Sequence, residues 1–371
     1  MDASAELQPD SAWLRSFRAR LMRWFHGSAR ELPWRENCDP YRVWLSEIML
    51  QQTQVATVKG YFERFTGELP TIAALAAAEE ATVLRLWEGL GYYRRARQLH
   101  AAARKIVAEH GGEFPRSAEE VRRLPGIGRY TAGAILSIAF DQRQPIVEAN
   151  TIRLYSRLLG YRGDPRDSAG QRRLWEFAEQ VLPRQGSGAM NQALMELGAL
   201  VCTPRNPLCD SCPVNSLCAA RRLGLQAEIP PPARKPNFEQ LVEAAVLLRR
   251  RGRLLVRRCE PGERWAGLWD FPRCDATDAA AAATHKMDPV AGRLADSLQE
   301  RYGLTVDVGP RLGTLKHGVT RYRITLHYYE GRLVNTRFKE KDGIRWVTPA
   351  ELAELPLSST GRKLAQFAGA M

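Results

Sequence analysis

Two segments of this sequence carry side chains whose types and spacing could do chemistry, and a third could hold a ligand by its backbone. The segment CTPRNPLCDSCPVNSLC sets Cys202, Cys209, Cys212 and Cys218 in the pattern C-x6-C-x2-C-x5-C. Four thiolates so close in sequence can wrap one metal centre, either a structural zinc or a cubane [4Fe-4S] cluster. In IVEANTIRLYSR (146–157), Glu148 follows an apolar pair and precedes a helix start. Asn150 is a good N-cap there, and Ile152, Tyr155, Leu158 and Leu159 recur at helical spacing up to Gly160. A carboxylate at that place meets the positive end of the helix dipole and tends to stay ionised. In LPGIGRYTAGAI (124–135), Gly126 and Gly128 permit close backbone approach and unusual dihedrals at a turn into a helix. Successive N–H groups at such a helix start can bind a DNA phosphate.

Two bodies of different character must position these groups. Residues 11 to about 225 read as helices joined by short loops, with apolar periodicity in 42–58, 81–90 and 129–140. The proline-rich stretch within 226–238 is a semi-rigid linker and a domain boundary. Beyond it, LVEAAVLLRR, RLLVRR, YRITLHYYEG and GIRWVTP read as strands, with one helix over 291–304, so 239–371 is expected to be a smaller α+β domain.

Lys and Arg number 54 against 41 Asp and Glu, a formal charge of +13, and that excess favours a polyanionic partner. The chain opens on MDASAELQPD, unlike a signal or transit peptide, and no apolar run approaches the roughly 18 residues of a membrane span. The expectation is a monomeric, nucleoid-associated cytoplasmic protein with no membrane contact. Seven cysteines without an export signal argue against a disulfide framework, and Cys38, Cys259 and Cys274 read as scattered reduced thiols.

The cysteine spacing directly after LMELGALVC, with the glycine-rich hairpin upstream, resembles the helix-hairpin-helix DNA glycosylases. That resemblance implies a [4Fe-4S] cluster, which ties down a basic loop beside DNA and needs no redox role. Within this superfamily, enzymes that also cut the backbone carry a lysine where this sequence has Tyr130. A tyrosine cannot form the Schiff base, so the implied chemistry is hydrolysis of the N-glycosidic bond alone. ELPWR (31–35), WLSEIMLQQTQV (44–55) and GLGYYRRARQLH (89–100) are similar to the bacterial MutY adenine glycosylases, which remove adenine mispaired with 8-oxoguanine or guanine.

The resemblance implies roles residue by residue. Glu47 is the general acid that protonates adenine N7 and helps activate water, a task that asks burial to raise its pKa. Arg30, Leu32, Trp34 and Arg35 line an adenine pocket with Gln192 near it, while Gln52, Thr53, Leu90 and Tyr92 lie on the surface that probes the strand. Val147–Asn150 stands where the family has a pattern close to V-D-G-N, which makes Glu148, with Asn150, the carboxylate that stabilises the sugar cation. Glu148 is longer than aspartate by about 1.5 Å, one C–C bond. WAGLWDFPR (265–273) and LQERYGL (298–304) resemble the Nudix-like C-terminal domain of these enzymes. In the acidic set of a true Nudix helix only Glu300 remains, because Ser297 and Arg301 take the other places, so a lesion-reading module is implied. Its Phe-Ser-His reading loop corresponds to Val319, Thr320 and Arg321. The departures at 147–150 and 319–321 keep open a related mismatch glycosylase, or a lesion-binding protein with impaired catalysis.

Overall fold

The computed structural model describes residues 6–232, 237–281, 288–334 and 343–370. The chain divides into two compact units: Met1–Ala78 with Arg94–Arg234, and Glu79–Tyr93 with Lys235–Met371. No helix among the described residues is long and apolar enough to cross a membrane.

The first unit is helical. One core gathers Phe17 and Leu21 from the helix Ser11–Ser28, Leu154, Tyr155 and Leu158 from Ala149–Leu159, Leu174 and Phe177 from Ser168–Val181, and Leu194 and Leu197 from Ser187–Leu200. The apolar run 42–58 does not make one helix. It breaks into Pro40–Leu50 and Val55–Glu68, with Gln52 in the left-handed region at φ 59°. The break leaves carbonyls at the end of the first helix without helical partners. The guanidinium of buried Arg95 takes them up, donating to Ile48 O at 2.8 Å, Met49 O at 3.1 Å and Gln51 O at 2.5 Å. Periodicity survives such a break, so only the distant arginine reveals it. The run 81–90 likewise yields a shorter helix, Glu80–Leu86.

At the hairpin, Gly126 needs its glycine: φ is 79° and a Cβ would stand 2.8 Å from the Gln98 Cβ. The expectation of an unusual dihedral fails at Gly128, which caps the helix Arg129–Phe140 at an ordinary φ of −92°. What Gly128 offers is space, because nothing lies within 4 Å of where a Cβ would be. The expected linker starts while still attached to the helical unit. Ile229 is buried and its carbonyl accepts from Arg157 Nε at 2.8 Å, and residues 233–236 lie outside the described residues.

Among the described residues, the second unit is built on a seven-stranded sheet: β1 Glu239–Arg250, β2 Arg253–Arg258, β3 Trp269–Asp270, β4 Arg273–Asp275, β5 Val306–Val319, β6 Tyr322–Leu333 and β7 Ile344–Val347. Its path runs β3-β2-β1-β6-β5, with β4 paired to β1 and β7 to β2. The β1–β6 pair is parallel and the other pairs are antiparallel. Continuous apolar character in β1 follows from burial on both faces. Ala244, Val246 and Leu248 pack on one side with Leu294 and Leu298 of the helix Pro289–Tyr302. Ala245 and Leu247 pack on the other with Leu364 and Ala368 of the helix Ser359–Ala370. On the former helix Glu300 pairs with Arg293 at 3.4 Å and Arg301 with Glu263 at 2.8 Å.

Candidate active site

One cleft of the helical unit, of about 830 Å³, is lined by Arg30, Leu32, Trp34, Arg35, Glu47, Gln52, Thr53, Tyr130, Glu148, Asn150 and Gln192. Residues separated by up to 162 positions are thus brought together. The volume falls in the range that takes a ligand of nucleoside size.

Glu47 projects from the helix Pro40–Leu50 into this space with 5% exposure. The hydroxyl of Tyr130, from the first turn of Arg129–Phe140, donates to Glu47 Oε2 at 2.6 Å. Burial pushes the Glu47 carboxyl up from 4.5 to about 7; the Tyr130 hydrogen bond opposes this, the charge of Glu148 reinforces it, and Arg35 opposes it. A carboxyl with that affinity is substantially protonated near neutrality and can give a proton to a bound base.

Glu148 is the N-cap of the helix Ala149–Leu159, which corrects the expectation that Asn150 caps it. Its carboxylate accepts from Asn150 N at 2.8 Å and Thr151 N at 2.9 Å, while Thr151 Oγ1 accepts from Glu148 N at 2.8 Å. This reciprocal box satisfies donors that a helix start leaves orphaned. Asn150 is already engaged: its Oδ1 accepts from Arg153 Nη2 at 2.9 Å. Arg153 also donates to Gly198 O and Cys202 O, both at 2.7 Å. Close approach at Gly198 permits this packing, since a Cβ there would stand 2.8 Å from that of Asn150. Burial raises the Glu148 pKa, and the backbone hydrogen bonds from Asn150 and Thr151 work against it.

Arg30 and Arg35 face the cleft as a bound pair. Glu196, buried in the helix Ser187–Leu200, accepts from Arg30 Nε at 2.7 Å, Arg30 Nη2 at 2.8 Å and Arg35 Nη2 at 2.9 Å. Burial opposes its ionisation, yet the hydrogen bonds from Arg30 and Arg35 prevail and hold Glu196 down to about 2. Sequence reasoning missed Glu196; the available signal was a lone acid inside the apolar run LMELGALVC, which demands a partner. Trp34 is buried in edge-to-face contact with Phe62 at 5.4 Å, with Leu32 buried beside it in sequence. Thr53 Oγ1 accepts from Arg95 Nη2 at 3.3 Å.

Four expected residues lie in the second unit. Leu90 is buried, whereas Tyr92 is 46% exposed with φ 48°. Thr320, at φ 50°, and Arg321 form the tip between β5 and β6. Arg321 pairs with Glu239 at 3.1 Å and donates to the Tyr322 hydroxyl at 2.9 Å.

Cys202, Cys209, Cys212 and Cys218 line a single cavity of the first unit. No three His, Cys, Asp or Glu side chains among the described residues close on a single-ion site. The four sulfurs instead stand around a shared space, a donor set suited to a cluster with one thiolate per iron. Arg157 reaches into this loop, donating to Cys202 Sγ at 3.4 Å and Thr203 O at 2.7 Å. Burial pushes Cys212 up to about 12 and Cys218 up to about 11, so these thiols would ionise only against the positive charge of a bound metal.

Comparison with known proteins bears on both units. Residues 45–180 match the HhH-GPD superfamily of base excision DNA repair proteins, and 202–218 match the iron-sulfur binding domain of endonuclease III. Residues 244–366 match the NUDIX domain. The cofactor that fits the four cysteines is therefore a [4Fe-4S] cluster. An adenine DNA glycosylase of Rattus norvegicus is 44% identical over 273 residues, which are 71% of this chain and 52% of that protein. The chain thus spans about half the length of that relative. An adenine DNA glycosylase of Buchnera aphidicola subsp. Schizaphis graminum is 35% identical over 260 residues, covering 70% of this chain and 75% of that one. Among solved structures, a thermostable thymine-DNA glycosylase matches with a TM-score of 0.53 and 28% identity, over 57% of this chain and 97% of its own.

Proposed function

The chain belongs to the adenine DNA glycosylase family, and from that premise we propose that it hydrolyses the N-glycosidic bond of adenine mispaired with 8-oxoguanine or guanine in double-stranded DNA. The observation that carries this reading is the Glu47–Tyr130 pair, a carboxyl with a pKa of about 7 in a cleft that also holds Glu148.

The target adenine leaves the duplex, at a cost of a few kcal/mol of unstacking and unpairing, and enters the cleft. Glu47 gives its proton to N7. The C1′–N9 bond then breaks, its electron pair goes to the adenine ring, and positive charge develops on the deoxyribose. Glu148, held by its helix cap, faces that charge as the stabilising carboxylate, with Asn150 beside it. Glu47, now ionised, accepts a proton from the water that adds to C1′, which returns the acid to its starting form. Tyr130 offers a hydroxyl and no amine, so no Schiff base forms and the product is an abasic site with the backbone intact. Trp34 and Leu32 supply apolar wall to the pocket, and the Arg30–Glu196–Arg35 cluster, near Gln192, supplies its polar edge. When bound, the [4Fe-4S] cluster fixes the 202–218 loop; no step of the hydrolysis runs through it.

DNA contact falls to the hairpin, where the open face of Gly128 leaves room for a phosphate at the helix start. Gln52, Thr53, Leu90 and Tyr92 are the strand-probing residues, with Tyr92 the exposed ring among them. Thr320 and Arg321 at the β5–β6 tip read the opposite base. The protein acts as a monomer at the nucleoid. A second reading, thymine or uracil excision, draws on the likeness to a thymine-DNA glycosylase structure. Single-turnover assays on A:8-oxoguanine, A:G, T:G and U:G duplexes separate the two. Release of thymine or uracil without adenine overturns the first reading. Tight binding of A:8-oxoguanine without base release would leave a lesion-binding protein.

A further inference from the structure

The segment Glu79–Tyr93 groups with the second unit although both of its ends run on in sequence into the first. One arginine of that unit grips it by the side chain of Glu88. Arg362, on the helix Ser359–Ala370, donates from Nε to Glu88 Oε1 at 2.6 Å and from Nη2 to Glu88 Oε2 at 2.9 Å. This two-pronged pairing is one that a guanidinium makes and an ammonium cannot. The same guanidinium donates to Leu352 O at 3.2 Å and Leu355 O at 2.8 Å, which fixes its orientation. Glu88 also accepts from Leu357 N at 3.3 Å, and the Tyr93 hydroxyl donates to Leu357 O at 3.1 Å. Both shoulders of the 88–93 loop are thus tied to residues 352–362.

The backbone between those shoulders is strained. Gly89, Gly91 and Tyr92 have φ of 98°, 70° and 48°. A non-glycine residue in the left-handed region persists only where its surroundings over-determine it. Trp87 Nε1 donates to Gly91 O at 3.1 Å and closes the loop from within. The ring of Tyr92, 46% exposed, is carried at this point. An exposed aromatic on a loop clamped at both shoulders is suited to meeting a flat apolar face, and a nucleobase provides one.

We propose that Arg362 is a positioning residue: by gripping Glu88 it sets the Leu90–Tyr92 loop in the conformation that meets duplex DNA, so that the NUDIX-like unit governs how the bases beside the target are unstacked. This rests on the DNA glycosylase reading above.

The test uses the full chain with its cluster and three variants: Arg362→Ala, Arg362→Lys and Glu88→Gln. A duplex with an A:G mispair carries 2-aminopurine next to the target adenine, and its fluorescence reports unstacking on binding. Arg362→Ala should lower both the fluorescence rise and single-turnover adenine release by about tenfold, less than the roughly 100-fold that a 1 Å misplacement can cost. Arg362→Lys should fall between, having the charge without the fork, and Glu88→Gln should lower both readouts as well, since it removes the charged partner of the fork. Affinity for fully paired duplex, which phosphate contacts dominate, should stay within about twofold. Thermal unfolding and the visible absorbance of the cluster check that each variant is folded. Wild-type fluorescence and release in Arg362→Ala, or in Glu88→Gln, would overturn the proposal. A wild-type protein that releases no adenine from any mispair would sink the function reading, and this one with it.

Discussion

Glu47→Gln should separate activity from stability in opposite directions. Burial moves this carboxyl from 4.5 to about 7. At pH 7 about half of the molecules hold the proton, against about 1 in 300 for a carboxyl left at its ordinary value. The displacement corresponds to about 3 kcal/mol, at roughly 1.4 kcal/mol per pH unit. Because the folded-state value lies above the unfolded one, the folded chain holds this proton more tightly. The stability it contributes is complete below about 4.5 and is lost as pH rises through about 7. Glutamine keeps the shape and carries no proton to give or lose. Single-turnover adenine release should therefore drop by at least about 100-fold, the lower end of what a positioned general acid supplies. At the same time the variant should gain on wild type in urea unfolding as the pH is raised from 6 to 9, by about 1.4 kcal/mol, the part of the 3 kcal/mol still to be lost above pH 6. Wild-type excision should fall about tenfold per pH unit above pH 7. A flat rate profile between pH 6 and 9, near-normal excision by the variant, or a stability gap that does not widen with pH would each refute this account of Glu47.

Tyr130→Phe removes a hydrogen bond that favours ionised Glu47, so the alkaline limb of the rate profile should move to higher pH by about 1 unit, read from single-turnover rates. Glu148→Ala should destroy the capping box, costing about 1 kcal/mol in chemical unfolding, and lower excision by at least about 100-fold; Glu148→Asp should keep the cap and most of the stability. Glu148→Gln should lower the Glu47 pKa, since the Glu148 charge helps to raise it, and a 13C NMR titration of the Glu47 carboxyl would follow this directly. Cys212→Ala removes one thiolate from the cluster site, and the visible absorbance of the purified protein should fall sharply with it; an unchanged spectrum would take Cys212 out of the ligand set.

What could be read in advance was whatever short spacing expresses. The C-x6-C-x2-C-x5-C run, the LPGIG turn and the apolar neighbours of Glu47 are local patterns, and the structure assembles each near where the pattern implied. Features decided by distant partners were not legible. Asn150 and Glu148 are both plausible caps in isolation; Arg153, itself anchored on Gly198 and Cys202, occupies the Asn150 carboxamide and leaves the cap to Glu148. The helix that periodicity extends to residue 58 stops at Leu50, where Arg95 takes up the released carbonyls. Glu196 gains its meaning only from Arg30 and Arg35, more than 150 positions away in sequence. Within the second unit Glu88 of the segment Glu79–Tyr93 meets Arg362, a pair separated by 274 positions. Composition and periodicity carry no trace of such pairings.

The proposed mechanism asks opposite protonation states of the two glutamates of the cleft, and burial alone would push both toward neutrality. Their surroundings break the tie. Glu148 receives two backbone N–H groups at a helix start, which favours its charged form, whereas Glu47 receives a single phenolic hydroxyl. Once Glu148 is ionised, its charge raises the proton affinity of Glu47. The carboxylate assigned to the sugar cation thus also helps to keep the acid loaded before the bond breaks. In the proposed mechanism the positive charge that appears on the sugar offsets that repulsion, so Glu47 would give up its proton more readily as the C1′–N9 bond lengthens. The helix cap holds the Glu148 side chain, one methylene longer than the aspartate of the family pattern, against its own helix start. From that cap Glu148 still lines the same cleft as Glu47.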